Sequence, residues 1–181
     1  MITALWQNFW TYLNSPEFLL RVINNRFYLI LIVIALSYLK RRTFSSMFLA
    51  ALVNIPGTIL HETSHFLVGF LLGAKPTTFT LWPKLRDGAY VMGSVGFRNV
   101  KFYNAFPSAM APLLLLPLGW WLNEYFLITT IWRYICFVLL ETIIIENAIP
   151  SSTDFAVAFD SPLGILLYIV LIFIFLVLTP I

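Results

Sequence analysis

The chain has 181 residues, 60% of them apolar, 17% aromatic and 10% charged, with a mean hydropathy of +0.89; an ordinary soluble domain carries about 25% charged residues. This composition excludes a water-soluble globular enzyme and predicts an all-α polytopic membrane bundle of about five transmembrane helices, with no length left for a separate soluble domain. The net charge of +3 comes from Lys and Arg spread over short loops, which reads as membrane topology and gives no reason to expect a nucleic-acid partner.

At the start of the chain, Ile2, Leu5, Trp6, Phe9, Trp10 and Leu13 repeat at the spacing of one apolar helical face,. Residues 1–14 are too few to span a bilayer and predict a helix lying in its interface. The first charged residue is Glu17, so no basic region precedes an apolar core and no cleavable signal is expected. Ser15-Pro16-Glu17 is a helix start, with Ser as N-cap and Pro at the first helical position. A first span is predicted over 16–40, with Arg21 and Arg26 snorkelling to the surface and Lys40-Arg41-Arg42 at its far end.

A second helix is predicted over 44–73. At 1.5 Å per residue it is about 45 Å long, against a hydrocarbon layer of roughly 30 Å, so it must tilt, kink or protrude. Pro56 supplies the break. A β-hairpin is predicted over 76–98, between the second and third spans, because β-formers at 77–82 and 89–92 flank the turn signal Arg86-Asp87-Gly88. Its free edge can bind an extended segment of a substrate through main-chain hydrogen bonds.

The third span, 105–122, is made irregular by Pro107, Pro112 and Pro117, and Trp120-Trp121 mark the opposite interface. The fourth, 126–146, contains Arg133 and Glu141, eight residues apart and expected to form a buried pair with each other or with other helices. Cys136, the single cysteine, is expected to pack there as a small hydrophobe. A polar segment over 147–155 interrupts the apolar helices, which a bilayer tolerates only where the segment is buried in protein or lines a cavity. The fifth span is 162–179.

The chemistry concentrates in His61-Glu62-Thr63-Ser64-His65. In a helix, His61 and His65 share one face, one turn apart, with Glu62 beside them. Two imidazoles so placed can hold one Zn²⁺ ion, and Glu62 is then the general base for a metal-activated water. These are the only histidines in the chain, and three ionisable groups in hydrocarbon persist where they pair, bind a metal or line a wet cavity. A catalytic zinc takes three protein ligands. The candidates for the third are Asp154, Asp160, Glu141 and Glu146, and threading brings the loop that carries Asp154 to the histidine end of the second helix.

Taken together, these pieces resemble the site-2 protease family of intramembrane zinc metallopeptidases. His61-Glu62-Thr63-Ser64-His65 resembles its zinc motif, and Asn147-Ala148-Ile149-Pro150 followed by Asp154 is similar to its Asn-x-x-Pro…Asp-Gly segment. Gly88-Ala89-Tyr90-Val91 is similar to its hairpin stretch, and Ser108-Ala109-Met110-Ala111-Pro112 to the start of its next helix. The resemblance covers about residues 44–155. Ser64 stands where the family has Gly, the Pro150 to Asp154 interval is one residue short, and Phe155 follows the Asp in place of Gly, so the chain reads as a divergent member.

The resemblance implies one Zn²⁺ ion held by His61, His65 and Asp154, with Glu146 and Asp160 as the alternatives for the third position. It implies Glu62 as base, and Asn147, Tyr90 and Val91 as substrate-binding residues. The expected activity is endoproteolysis in or near transmembrane segments of membrane-protein substrates. A catalytically inactive relative that binds membrane segments is the second reading, and a metal or solute transporter the third. The expected location is a multi-pass integral membrane protein in the lipid bilayer. Counting Lys and Arg with the hairpin and the N-terminus on one side, and Lys40-Arg41-Arg42 on the other, opens the site toward the cytoplasm.

Overall fold

The computed structural model describes residues 2–24, 26–43, 47–82, 84–86, 89–125 and 128–178. Within them the chain forms α1 (Ile2–Leu13), α2 (Pro16–Asn24), α3 (Arg26–Thr43) and α4 (Met47–Leu71). Four short strands follow, β1 (Pro76–Thr80), β2 (Lys84–Arg86), β3 (Ala89–Val91) and β4 (Ser94–Phe97). The remaining helices are α5 (Phe102–Ala109), α6 (Leu115–Tyr125), α7 (Ile131–Asn147), α8 (Ser152–Phe159) and α9 (Pro162–Leu178). A 3-10 turn, Ala111–Leu114, joins α5 to α6.

The chain is therefore mostly helical with a small antiparallel β element, as expected. No single helix among the described residues is long and apolar enough to cross a membrane. α4 has the length but carries the polar His61–His65 stretch, whereas α9 is apolar throughout but has 17 residues. Two bent pairs pass the length and composition test together: α5 with the turn and α6, bent by 53°, and α7 with α8, bent by 45°. Pro150 lies in the second break, and the first, at Met110, is followed two residues on by Pro112, whose missing backbone donor interrupts the helical ladder,.

The hairpin is two stacked ladders. β1 pairs antiparallel with β4, placing Phe79 opposite Val95 and Thr80 opposite Ser94, and β2 pairs with β3 farther out, Leu85 opposite Tyr90. Gly73, at φ 72°, ends α4 in the left-handed conformation that glycine adopts without strain,. Asn104, fully buried, then ties the surrounding turns together. Its amide donates to Asn99 O at 3.0 Å and its Oδ1 accepts from Lys101 N at 2.7 Å.

At the other end, Ser15 Oγ accepts from Phe18 N at 3.2 Å, the expected start of α2. Asn14 Oδ1 accepts from Ile131 N at 3.0 Å, so the end of α1 caps the start of α7,. The helix expected over 16–40 is present as α2 and α3, on either side of Asn25, which lies outside the described residues.

Three expectations are corrected. Arg133 and Glu141 do not pair: Arg133 is in the first turn of α7, exposed, and donates to Thr129 Oγ1 at 3.0 Å, whereas Glu141 is buried against Gly119. The helix starts at Ile131, so Arg133 lies at its end instead of within a span. Cys136 is exposed on the outer face of α7.

The third correction concerns α3, which runs parallel to α7. Leu29, Ile32 and Leu36 pack on Tyr134, Phe137 and Val138, and Lys40 forms an ion pair with Glu146 near the end of α7. Lys40 therefore stands at the site's end of the bundle, not at the far end where the charge count had set it.

Candidate metal centre

α4 positions His61, Glu62 and His65, and the start of α8 positions Asp154. His61 Nε2 and His65 Nε2 are 3.2 Å apart; Asp154 Oδ2 is 3.5 Å from the first and Asp154 Oδ1 is 3.3 Å from the second. A tetrahedral ion with ligands at roughly 2.0–2.1 Å has ligand-to-ligand edges of about 3.3 Å. The ring-to-ring separation falls near that edge, and Asp154 offers a different carboxylate oxygen to each ring, with one ligand atom from each of the three residues lying within 4.8 Å of the others, so the three groups can hold one ion between them.

The backbone fixes the tautomers. His61 Nδ1 lies 2.8 Å from Asn147 O and His65 Nδ1 lies 2.7 Å from Ser108 O. A carbonyl only accepts, so each Nδ1 must carry the proton, and each neutral ring then presents the Nε2 lone pair. Two lone pairs and a carboxylate converge on one point, an arrangement that is repulsive without a cation or a proton to share.

Both carbonyls are available because of proline. The residue four after Ser108 is Pro112, which has no N–H to close the helical bond. Asn147 ends α7, three residues on is Pro150, and four residues on is Ser151, whose N–H donates instead to Asp154 Oδ2 at 2.7 Å. The Ser151 hydroxyl donates to the same oxygen at 2.6 Å, and Asp154 N–H donates back to Ser151 Oγ at 3.2 Å, a capping box that seats Asp154 in the first turn of α8,. The carboxylate is thereby oriented toward the imidazoles at the end of a helix whose dipole favours an anion.

Glu62 and His65 are 6% and 5% exposed. Together with His61 and Asp154 they line a cavity of 780 Å³. One wall is Thr58 and Asn147, another is Met92 to Val95 with Phe97, and a third is Ala105, Ser108 and Val157. The hairpin presses closely on the base: a Cβ at Gly93 would lie 2.6 Å from Glu62 Oε1 and 2.7 Å from Thr58 Cγ2.

Of the residues expected from the sequence, His61, Glu62, His65, Asp154 and Asn147 come together here. Asn147 acts through its main-chain carbonyl on His61, while its amide donates to Ile143 O at 2.8 Å. Glu146 is committed to Lys40 and Asp160 caps the far end of α8, so neither competes with Asp154 for the metal. Glu141, between α6 and α7, is not part of the cavity wall. The backbone of Tyr90 and Val91 belongs to β3, but their side chains lie outside the described residues. Ser64 turns back to donate to Leu60 O at 2.8 Å, so its replacement of Gly leaves the ligands untouched.

Sequence reasoning did not find Ser151, Gly93 or the Ser108 carbonyl. Spacing gave a signal for the first, since Ser151 and Asp154 stand three apart before an apolar run. Compared with family models, with curated proteins and with solved structures, the chain matches none.

Proposed function

We propose that the chain is a multi-pass membrane protein acting as an intramembrane zinc endopeptidase, with His61, His65 and Asp154 as ligands and Glu62 as general base. The observation that carries this reading is the convergence of three acceptors at 3.2–3.5 Å with both Nδ1 protons already committed to carbonyls. A zinc ion supplies Lewis acidity and a water acidified to a pKa of about 7.

The chain's own groups do the rest. Glu62, buried at the cavity wall, takes a proton from the attacking water and passes it to the leaving amide nitrogen. The low exposure of Glu62 and His65 limits their contact with bulk water, which strengthens each of these interactions,.

The substrate class follows from the wall opposite. Among the described residues β4 pairs with β1 alone, which leaves its second edge unpaired there, and its Ser94, Val95 and Phe97 line the cavity. An extended segment can add to that edge by main-chain hydrogen bonds, which demand little of its sequence. A transmembrane or membrane-proximal stretch of another protein, locally unwound, satisfies both this edge and the apolar lining of Val100, Ala105 and Val157. Counted with Lys75, Arg98 and Lys101, the Lys40 that pairs with Glu146 supports, by the positive-inside rule, a cavity that opens toward the cytoplasm,.

The test is Glu62→Gln in detergent-solubilised protein offered a transmembrane-segment peptide. Zinc is retained at wild-type stoichiometry and cleavage falls by at least a hundredfold. Cleavage that survives the substitution rejects Glu62 as the base. A wild-type protein that cleaves no such peptide while holding zinc favours the inactive relative.

A further inference from the structure

α3 lies outside the stretch that carries the resemblance, yet it delivers a cation to the site. Lys40 and Glu146 form an ion pair with side chains only 22% and 15% exposed. Glu146 is the penultimate residue of α7, where the negative end of the helix dipole disfavours a carboxylate and favours a cation,. Lys40 answers both charges at once.

The next residue is Asn147, whose carbonyl holds His61 Nδ1 at 2.8 Å. The last turn of α7 is also pressed against α4: a Cβ at Gly57 would meet Asn147 Nδ2 at 2.0 Å, so this contact exists only because residue 57 is glycine. Asn147 is thus held from one side by α4, while Lys40 anchors the adjacent residue from α3. Its carbonyl is a single acceptor at a frayable helix end with no intrahelical donor, and a small rotation of that turn would release the His61 ring.

We infer that the Lys40–Glu146 pair is a positioning device for the metal centre: it locks the final turn of α7 so that the Asn147 carbonyl fixes the tautomer and direction of His61. Neither Lys40 nor Glu146 belongs to the ligand group, and although Glu146 also lines the cavity, the pair acts on the metal centre through Asn147. The inference rests on the zinc-site reading above, and its test separates the two.

Zinc dissociation constants are measured on the full chain in detergent, by competition with a chromophoric chelator at fixed pH, alongside the Tm of the metal-free protein. The set is wild type, Lys40→Arg, Lys40→Met, Glu146→Gln and the exchange Lys40→Glu with Glu146→Lys. Outer-shell partners of a metal-bound histidine alter metal affinity by roughly 10–100-fold. Lys40→Met and Glu146→Gln are expected to bind zinc about tenfold more weakly, at the lower end of that range because they act one residue removed. Lys40→Arg holds near wild type and the exchange recovers most of the loss.

A fall in Tm with unchanged zinc affinity in both single variants reduces the pair to a structural contact and overturns the inference. So does an exchange variant no better than the singles. If one single variant does not fold, the other and the exchange still decide. Wild type that binds no zinc fails the metal-site reading itself, and this inference with it.

Discussion

The carbonyl oxygen of Ser108 and Nδ1 of His65 are 2.7 Å apart, and the bond exists because Pro112 cannot donate to that carbonyl,. Pro107 does the same for Tyr103, whose carbonyl accepts from Tyr168 on α9 at 2.8 Å. In this chain prolines free main-chain acceptors at set positions, and side chains from neighbouring helices occupy them. Here a broken helix supplies a main-chain acceptor that orients one imidazole of the candidate metal centre,.

Pro112→Ala therefore restores an N–H that competes with His65 for Ser108 O. Zinc affinity is expected to drop about tenfold, as for loss of an outer-shell partner. Chelator competition on the purified protein measures it, and an unchanged affinity contradicts the role assigned to that carbonyl.

A second expectation concerns Gly93. A methyl group there collides with Glu62 Oε1 at 2.6 Å and with Thr58 Cγ2 at 2.7 Å, while none of the three nearest contacts of that Cβ is a metal ligand. Gly93→Ala is expected to leave zinc content intact and to lower the cleavage rate of a transmembrane peptide at least tenfold, by displacing the base. Loss of zinc in parallel with activity would mean that the hairpin supports the whole centre and not Glu62 alone.

The sequence made the His61–Glu62–His65 part of the candidate site legible because its spacing is itself chemical: i and i+4 in a helix put two rings on one face,. The hairpin and the proline-interrupted helices α5 and α6 were equally readable, from turn residues and from missing donors. What was not readable was anything set by the packing of distant elements. The parallel run of α3 beside α7, hence Lys40 on Glu146, depends on side chains 106 residues apart. The pairing of Arg133 with Glu141 failed because the position of Arg133 depends on where α7 begins, which the Thr130 N-cap marks, joined by Asn14 from α1. Helix boundaries shifted by a few residues decide whether a charge is at an end or in a core.

Glu141 tests the bundle away from the metal. It is 4% exposed and its Oε1 has no hydrogen-bond partner among the described residues, so burying that oxygen costs desolvation,. Glu141→Met, of similar length and lacking the polar atoms, is expected to stabilise the fold by about 1 kcal/mol, read as a higher midpoint in thermal or denaturant unfolding. A destabilisation of that size instead would assign Glu141 a partner or a function of its own.

Metal content tests the centre most directly. Wild-type protein, purified in detergent without added metal and dialysed against a weak chelator, is compared by elemental analysis with His61→Ala, His65→Ala and Asp154→Ala. One zinc per chain in wild type and less than a tenth of that in each variant is the expected result. Wild type without stoichiometric metal, or Asp154→Ala retaining it in full, contradicts a centre built from these three side chains.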